Sequence, residues 1–357
     1  MSQWRSDAKD FMGTAWFCLV AAILTTYVVL DGFDLGAGIV HLLAAKTEEE
    51  RRTVLRTIGP VWDGNEVWLI AAGGTLYFAF PALYASSFSG FYLPLTIVLW
   101  LMILRGVSIE FRGHVTAPIW GSFWDATFFF SSLLLAVFFG VALGNVVRGV
   151  PLDGQGQFFE ALWTDFRPFG ATGILDWYTI LTGLTALFAL TLHGALWVAM
   201  KTTGPLQQRA RKIARAAWWV LGPLTVIVTF TSFKLQLHLY ASFSARPWGY
   251  IFPAFAAAGL LGSIAFINSD RKGFAASCIY LAGMLASVAF GLYPEVLPAS
   301  GNAAFSLTIE NAKAPEYGLR IGLVWWIVGI LLASIYLVVV YGRFAGKVRN
   351  SSDEEGY

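Results

Sequence analysis

Asp31 and Asp34 stand three residues apart in an apolar run, so a helix would set both carboxylates on one face. Asp63 and Glu66 repeat that spacing inside Trp62-Asp63-Gly64-Asn65-Glu66, where the next apolar run begins. A third run ends in Arg105-Gly106-Val107-Ser108-Ile109-Glu110-Phe111-Arg112. An ionisable group at membrane depth costs ~2.5–3.5 kcal/mol or more, so each of these needs a partner or a purpose. At about 1.5 Å of rise per residue, Asp31 and Asp34 lie roughly 13–20 Å from a helix end near Ala44. Two readings compete. In one, these are helix-end charges reaching back to water, with Arg105 pairing one acid. In the other, they form a buried polar network that carries protons or ions inward. Clustering on one side favours the network, because scattered helix-end charges would appear on both sides.

The elements that must hold these residues follow from composition. Of 357 residues, 57% are hydrophobic and 13% charged. A soluble globule that apolar has too few charges to cover its surface. The chain therefore reads as an all-α polytopic membrane protein, its helices gathered in bundles. Nine segments are apolar over the ~20 residues a span needs: 13–43, 59–80, 84–112, 120–145, 173–200, 217–239, 250–268, 274–297 and 319–342. Thr47-Glu48-Glu49-Glu50, Pro81, Gly121, 151–156, Gly204-Pro205, Asn268-Ser269-Asp270 and 298–301 supply the breaks. No long linker or repeat divides the chain, so residues 1–357 read as a single membrane domain. The apolar run after Arg5, Asp7, Lys9 and Asp10 is far longer than a signal-peptide core and reads as a retained first helix.

Sixteen of the 24 Lys and Arg fall on one side of such a bundle. They are Lys46, Arg51, Arg52, Arg56, Arg105, Arg112, Lys201, Arg209, Arg211, Lys212, Arg215, Arg271, Lys272, Arg343, Lys347 and Arg349. The positive-inside rule makes that side cytoplasmic, with the N-terminus outside and the C-terminus inside. A net charge of +2 offers no basic field for nucleic acid. Cys18 and Cys278 lie in separate apolar runs and form no disulfide framework or metal clip.

Other polar residues read more plainly. Asp125 and Asp176 look like helix-start carboxylates favoured by the dipole. Lys234 and His238, one turn apart, look interfacial; His193 looks like a hydrogen-bonded structural histidine, and Glu295 like an exposed carboxylate. Haem iron takes His, Met, Cys or Tyr as axial ligands. The four histidines, at 41, 114, 193 and 238, are poorly spaced for a bis-His haem, and no metal site recommends itself. Gly36-Ala37-Gly38 and Gly73-Gly74 suggest close helix packing.

Asp31-Gly32-Phe33-Asp34-Leu35-Gly36 resembles the first-helix signature of subunit II of cytochrome bd-type quinol oxidases. The same resemblance runs through the segment from Pro60 to Leu69, through Ala82 to Tyr92, and through Arg105 to Arg112. It continues in Gly144-Asn145-Val146-Val147-Arg148-Gly149-Val150-Pro151 and Tyr293-Pro294-Glu295-Val296-Leu297-Pro298. Glu110 stands where some relatives have Asp, and Arg167-Pro168-Phe169 replaces an Asn-Pro-Phe. The resemblance implies a haem-free subunit paired with a haem-bearing subunit I of similar fold. That partner carries haems b and d, oxidises quinol and reduces dioxygen to water. It also allows a small accessory subunit and a bound structural quinone. Carried over residue by residue, it sets Asp34, Asp63, Arg105 and Glu110 at proton-path positions. Glu66 joins them by its place one turn after Asp63, with Asp31 beside Asp34 in support. Trp62 and Trp68 become packing neighbours of the path. A proton-coupled secondary transporter and a scaffold without a proton role are the competing expectations.

Overall fold

The structure is a computed structural model that describes residues 2–348, with side chains from Phe11 onward. Arg349, counted with the basic side above, lies outside the described residues, as do the side chains of Arg5, Asp7, Lys9 and Asp10. The elements in chain order are α1 (Ser2–Ala44), α2 (Glu48–Ile58), α3 (Trp62–Ala79), α4 (Pro81–Gly90), α5 (Tyr92–Phe111) and α6 (Pro118–Arg148). Then come α7 (Trp177–Lys201), α8 (Gly204–Leu235), α9 (Leu237–Ala245), α10 (Ile251–Ala265), α11 (Asp270–Leu292) and α12 (Glu316–Arg343). A small antiparallel pair, β1 (Glu295–Leu297) and β2 (Leu307–Thr308), interrupts them before α12.

Eight of the helices are long and apolar enough to cross a membrane. They correspond to eight of the nine expected segments. The ninth, 59–80, forms α3, whose 18 residues include Asp63, Asn65 and Glu66 and are correspondingly less apolar. Segment 84–112 is not one helix. Pro81 opens α4, and α5 starts after Phe91 with Pro94 in its first turn, where the missing N–H breaks the ladder. The expected turn at 47–50 is instead the start of α2. Thr47 Oγ1 accepts from the Glu50 N–H while a Glu50 carboxylate oxygen accepts from the Thr47 N–H, a reciprocal cap. α8 begins at Gly204, not 217, because the charged stretch before Trp218 stays helical. Segment 274–297 ends its helix at Leu292, and its last residues pair as β1.

In lipid no hydrophobic force pulls helices together, so close packing and polar contacts decide the arrangement. α7 is the most enclosed span, lined by Ala189, Gly194, Ala195 and Ala199. α12 is the opposite case, with only Leu319 buried. Polar ties close the two ends of the bundle. At one end Arg209 donates to the Ala44 carbonyl at 2.6 Å and to Glu50, and Lys347 reaches Thr202 and Asp270, each at 2.8 Å. At the other, buried Arg148 binds Glu160 at 2.7 Å and Asp176, and residues 150 and 298–300 bridge. Asp176 caps α7 through the N–H groups of Tyr178 and Thr179, as expected of a helix-start carboxylate. The first of these ends carries the basic majority.

Candidate functional site

One stripe of α1 holds Tyr27, Asp31, Asp34, Gly38 and His41, spaced four, three, four and three residues apart. Against its middle, α5 inserts Arg105, which is fully buried. Its Nη1 donates to Asp31 Oδ2 at 2.8 Å and its Nη2 lies 2.8 Å from Asp31 Oδ1, a two-pronged approach. The same Nη2 is 3.7 Å from Glu66 of α3. Asp34, also buried, accepts from Asn65 Nδ2 at 2.7 Å, and Asn65 Oδ1 accepts from the Tyr341 hydroxyl of α12 at 2.7 Å. Four helices thus converge on three carboxyl groups, one guanidinium, an amide and a phenol. Removing one partner of such a buried ion pair costs ~3–5 kcal/mol, because the other is left charged and unpaired.

The sequence-derived residues divide. Asp31, Asp34, Glu66 and Arg105 come together. Asp63 is exposed on this chain, one turn before Glu66, and Asn65 rather than Asp63 meets Asp34. Glu110 is exposed in the last turn of α5, away from the cluster, with its backbone carbonyl bound by His114. Trp62 lies against Gly106, and Trp68 is buried beside Tyr27 and Ile23. Asn65 and Tyr341 were missed. Neither carries charge, and they are 276 residues apart; only the position of Asn65 beside Glu66 hinted at it.

The structure corrects the expectation that Asp125 is a helix-start carboxylate. It is buried and forms the hub of a second cluster. His41 Nε2 lies 2.6 Å away, Arg112 Nε donates at 2.5 Å and Arg51 Nη1 at 3.0 Å. Arg112 also binds both oxygens of Glu48, at 3.0 and 2.8 Å. The Arg112 hydrogen bonds hold the Glu48 carboxyl below its usual range. No sequence signal marked Asp125 apart from His41 itself, 84 residues away. At the far end, Glu295 is half-buried rather than exposed, and burial pushes its carboxyl up against the opposing pull of His238. Gly73 and Gly74 are not packing sites within this chain, since a Cβ at either would meet nothing within 4 Å.

All four histidines meet protein partners. His193 bonds Ser277 at 2.8 Å and the Val29 carbonyl at 2.9 Å, the structural role expected of it. His238 faces the Tyr293 carbonyl and Ser242, His41 faces Asp125, and His114 is exposed. Among the described residues no group of three or more His, Cys, Asp and Glu could hold a metal ion, and both cysteines are free.

This polytopic helical bundle has the fold of a bd oxidase chain. The structure of bd oxidase from Geobacillus thermodenitrificans superimposes with a TM-score of 0.74 at 15% identity, covering 94% of this chain and 99% of that one. The family model for cytochrome bd terminal oxidase subunit II matches residues 12–344, and the chain belongs to that family. It is similar to the probable cytochrome oxidase subunit 2 of Haemophilus influenzae, 33% identical over 95% of this chain and 96% of that one. It is also similar to the cytochrome bd ubiquinol oxidase subunit 2 of Bacillus subtilis, 33% identical over 86% and 88%. The cytochrome bd-I ubiquinol oxidase subunit 2 of Escherichia coli K12 is 28% identical over 95% and 96%. The chain is accordingly a subunit of a haem-containing oxidoreductase complex, and membership as subunit II implies a partner subunit I. Nothing in the comparisons supports a transporter.

Proposed function

We propose that this chain is a haem-free subunit that stabilises a haem-bearing subunit I and delivers it cytoplasmic protons for reducing dioxygen to water. The observation that carries this reading is the continuous buried contact from Glu66 through Arg105 and Asp31, with Asp34 and Asn65 alongside. Reduction of dioxygen to water consumes protons, and hydrocarbon does not conduct them. Asp31 and Glu66 share one guanidinium and Asp34 holds only the Asn65 amide, which leaves groups free to take up and release a proton. Asp63 and Glu110, both exposed near the basic end, collect protons. Glu66, with a side chain 19% exposed, passes them to the interior. Trp62 and Trp68 wall the path. The basic residues that the sequence sets on this side favour its being cytoplasmic, with the N-terminus outside.

The partner docks on the flank of α3, α5 and α12. Gly73 and Gly74 lie open there, Trp100, Leu104, Trp325 and Leu332 are exposed, and α12 is nearly unburied. An obligate interface of this kind buries roughly 2,000 Å² or more. The haems of subunit I handle the electrons and the dioxygen, and quinol is oxidised on that subunit. Nothing in the relay calls on a structural quinone or an accessory subunit.

Asp34→Asn in the purified two-subunit complex tests the reading. Normal haem content with slowed oxygen consumption is expected. Full haem occupancy with parental turnover would overturn the relay.

A further inference from the structure

The lower half of the α1 stripe continues past the buried cluster toward the basic end, through Gly38 to His41. α6 packs along this half. Asp125 meets His41, the Phe128 ring lies 5.6 Å from the His41 ring, and Ser132 faces Gly38. The approach at Gly38 is close: a Cβ there would stand 2.6 Å from Ser132 Cβ and 3.1 Å from Phe128. Ser132 therefore sits at the level between Asp34 and His41.

Three buried side-chain atoms along this line have no hydrogen-bond partner: Asp34 Oδ1, Ser132 Oγ and His41 Nδ1. Their residues are 1%, 0% and 0% exposed. Buried polar atoms in native proteins are paired, and where protein does not serve, ordered water does. The seven residues from Asp34 to His41 rise roughly 10 Å, enough for about three waters in single file at hydrogen-bond spacing.

The mouth of the line reaches solvent. Asp125 contacts Arg51 of α2, whose side chain is 30% exposed, and Arg112 beyond α5. Arg112 in turn holds Glu48 of α2, 55% exposed. The charged groups facing His41 are thus Asp125 directly, and Arg51, Arg112 and Glu48 through it. Arg52 also holds Glu48, at 2.9 Å, so the mouth sets two acids against three guanidinium groups.

We propose that internal waters along Asp34, Ser132 and His41 form a second proton entry, running from the Glu48–Arg112–Asp125 mouth to Asp34. It rests on the relay reading above and adds an entrance separate from Asp63. A proton that reaches the Asp125 carboxylate from the mouth passes to His41 Nε2 as Nδ1 gives its own to the waters, and Asp125 returns to the carboxylate that Arg51 and Arg112 hold. One N–H bond forms as the other breaks, and the ring is left as its other tautomer until it turns over.

The test uses the two-subunit oxidase in an Asp63→Asn background, where the Asp63 entrance is closed. Ser132→Val fills the narrow level beside Gly38 and leaves every charge in place. Ser131→Val is the packing control, since the Ser131 hydroxyl bonds its own helix at Thr127. With haem content intact, Ser132→Val should lower oxygen turnover a further several-fold, and Ser131→Val should not. A map of the native complex should show water density within hydrogen-bonding reach of Asp34 Oδ1, Ser132 Oγ and His41 Nδ1. Turnover in the Ser132→Val double variant equal to Asp63→Asn alone would overturn the second entry. So would a map with that line closed by protein, which decides the matter if the variant fails to assemble. Failure of Asp34→Asn to slow turnover would instead remove the relay as a whole.

Discussion

Gly36 of α1 and Gly194 of α7 meet backbone to backbone: a Cβ added at Gly36 would stand 2.7 Å from the Cα and N of Gly194. This crossing sets the distance between the helix bearing both aspartates and the most enclosed helix of the bundle. Gly194→Val should therefore lower the yield and melting temperature of the complex. Gly222→Ala, where a Cβ meets nothing within 4 Å, should leave both nearly unchanged or slightly raised. Equal behaviour of the two variants would show that the crossing tolerates separation.

Arg105 and Asp31 form a fully buried pair, so truncating either one strands a charge. Arg105→Leu should destabilise the complex by ~3–5 kcal/mol, and Arg105→Leu with Asp31→Leu should recover much of that loss. Arg105→Lys should fall between, because an ammonium cannot reproduce the fork. Thermal unfolding followed by haem absorbance reads all three. A double variant no better than Arg105→Leu would mean that Glu66 and Asp34 need the guanidinium as much as Asp31 does.

Asp63→Asn should slow oxygen reduction while haem content and quinol binding stay normal. Glu110→Asp should be milder than Glu110→Gln, since only the former keeps a titratable group. Oxygen consumption by the purified complex distinguishes these. Loss of haem and yield together in Asp63→Asn would point to a structural role instead.

Glu48 gives a pH signature. Its folded carboxyl is held below its unfolded value, first by the Arg112 hydrogen bonds. Its contribution is therefore present above the unfolded value of 4.5 and lost as pH falls through the lowered folded one. Glu48→Gln should melt slightly lower than the parent at pH 7, and the gap should close on acidification below that value. The effect is small because the Glu48 side chain is 55% exposed. A gap that widens toward acid would contradict the assignment.

Orientation is open to labelling. With Cys18 and Cys278 replaced by alanine, Ser300→Cys should react with an impermeant maleimide in intact cells. Lys212→Cys should react only after permeabilisation. Both positions are exposed on this chain. The reverse pattern would invert the topology.

The spanning segments were legible because a run of ~20 apolar residues has few other uses. The acid spacing was legible too: three residues apart on a helix means one face whatever surrounds it, and Asp31, Asp34 and Glu66 kept their place beside Arg105. Asp176 could be read because a cap is a local event, made with Tyr178 and Thr179. Asp125 could not. A carboxylate early in a helix looks the same whether it faces water or a histidine 84 residues away. α2 was hidden because its charged residues resemble a loop until Val54 and Ile58 have something to pack on. Asp63 and Glu66 illustrate the remaining gap. Their spacing put both near one face, but only the packing of α3 against α1 and α5 turned Glu66 toward Arg105 and left Asp63 outside. Local spacing determines what a helix can present, whereas burial and partnership depend on which neighbour arrives and at what angle, and that is decided only when the helices pack.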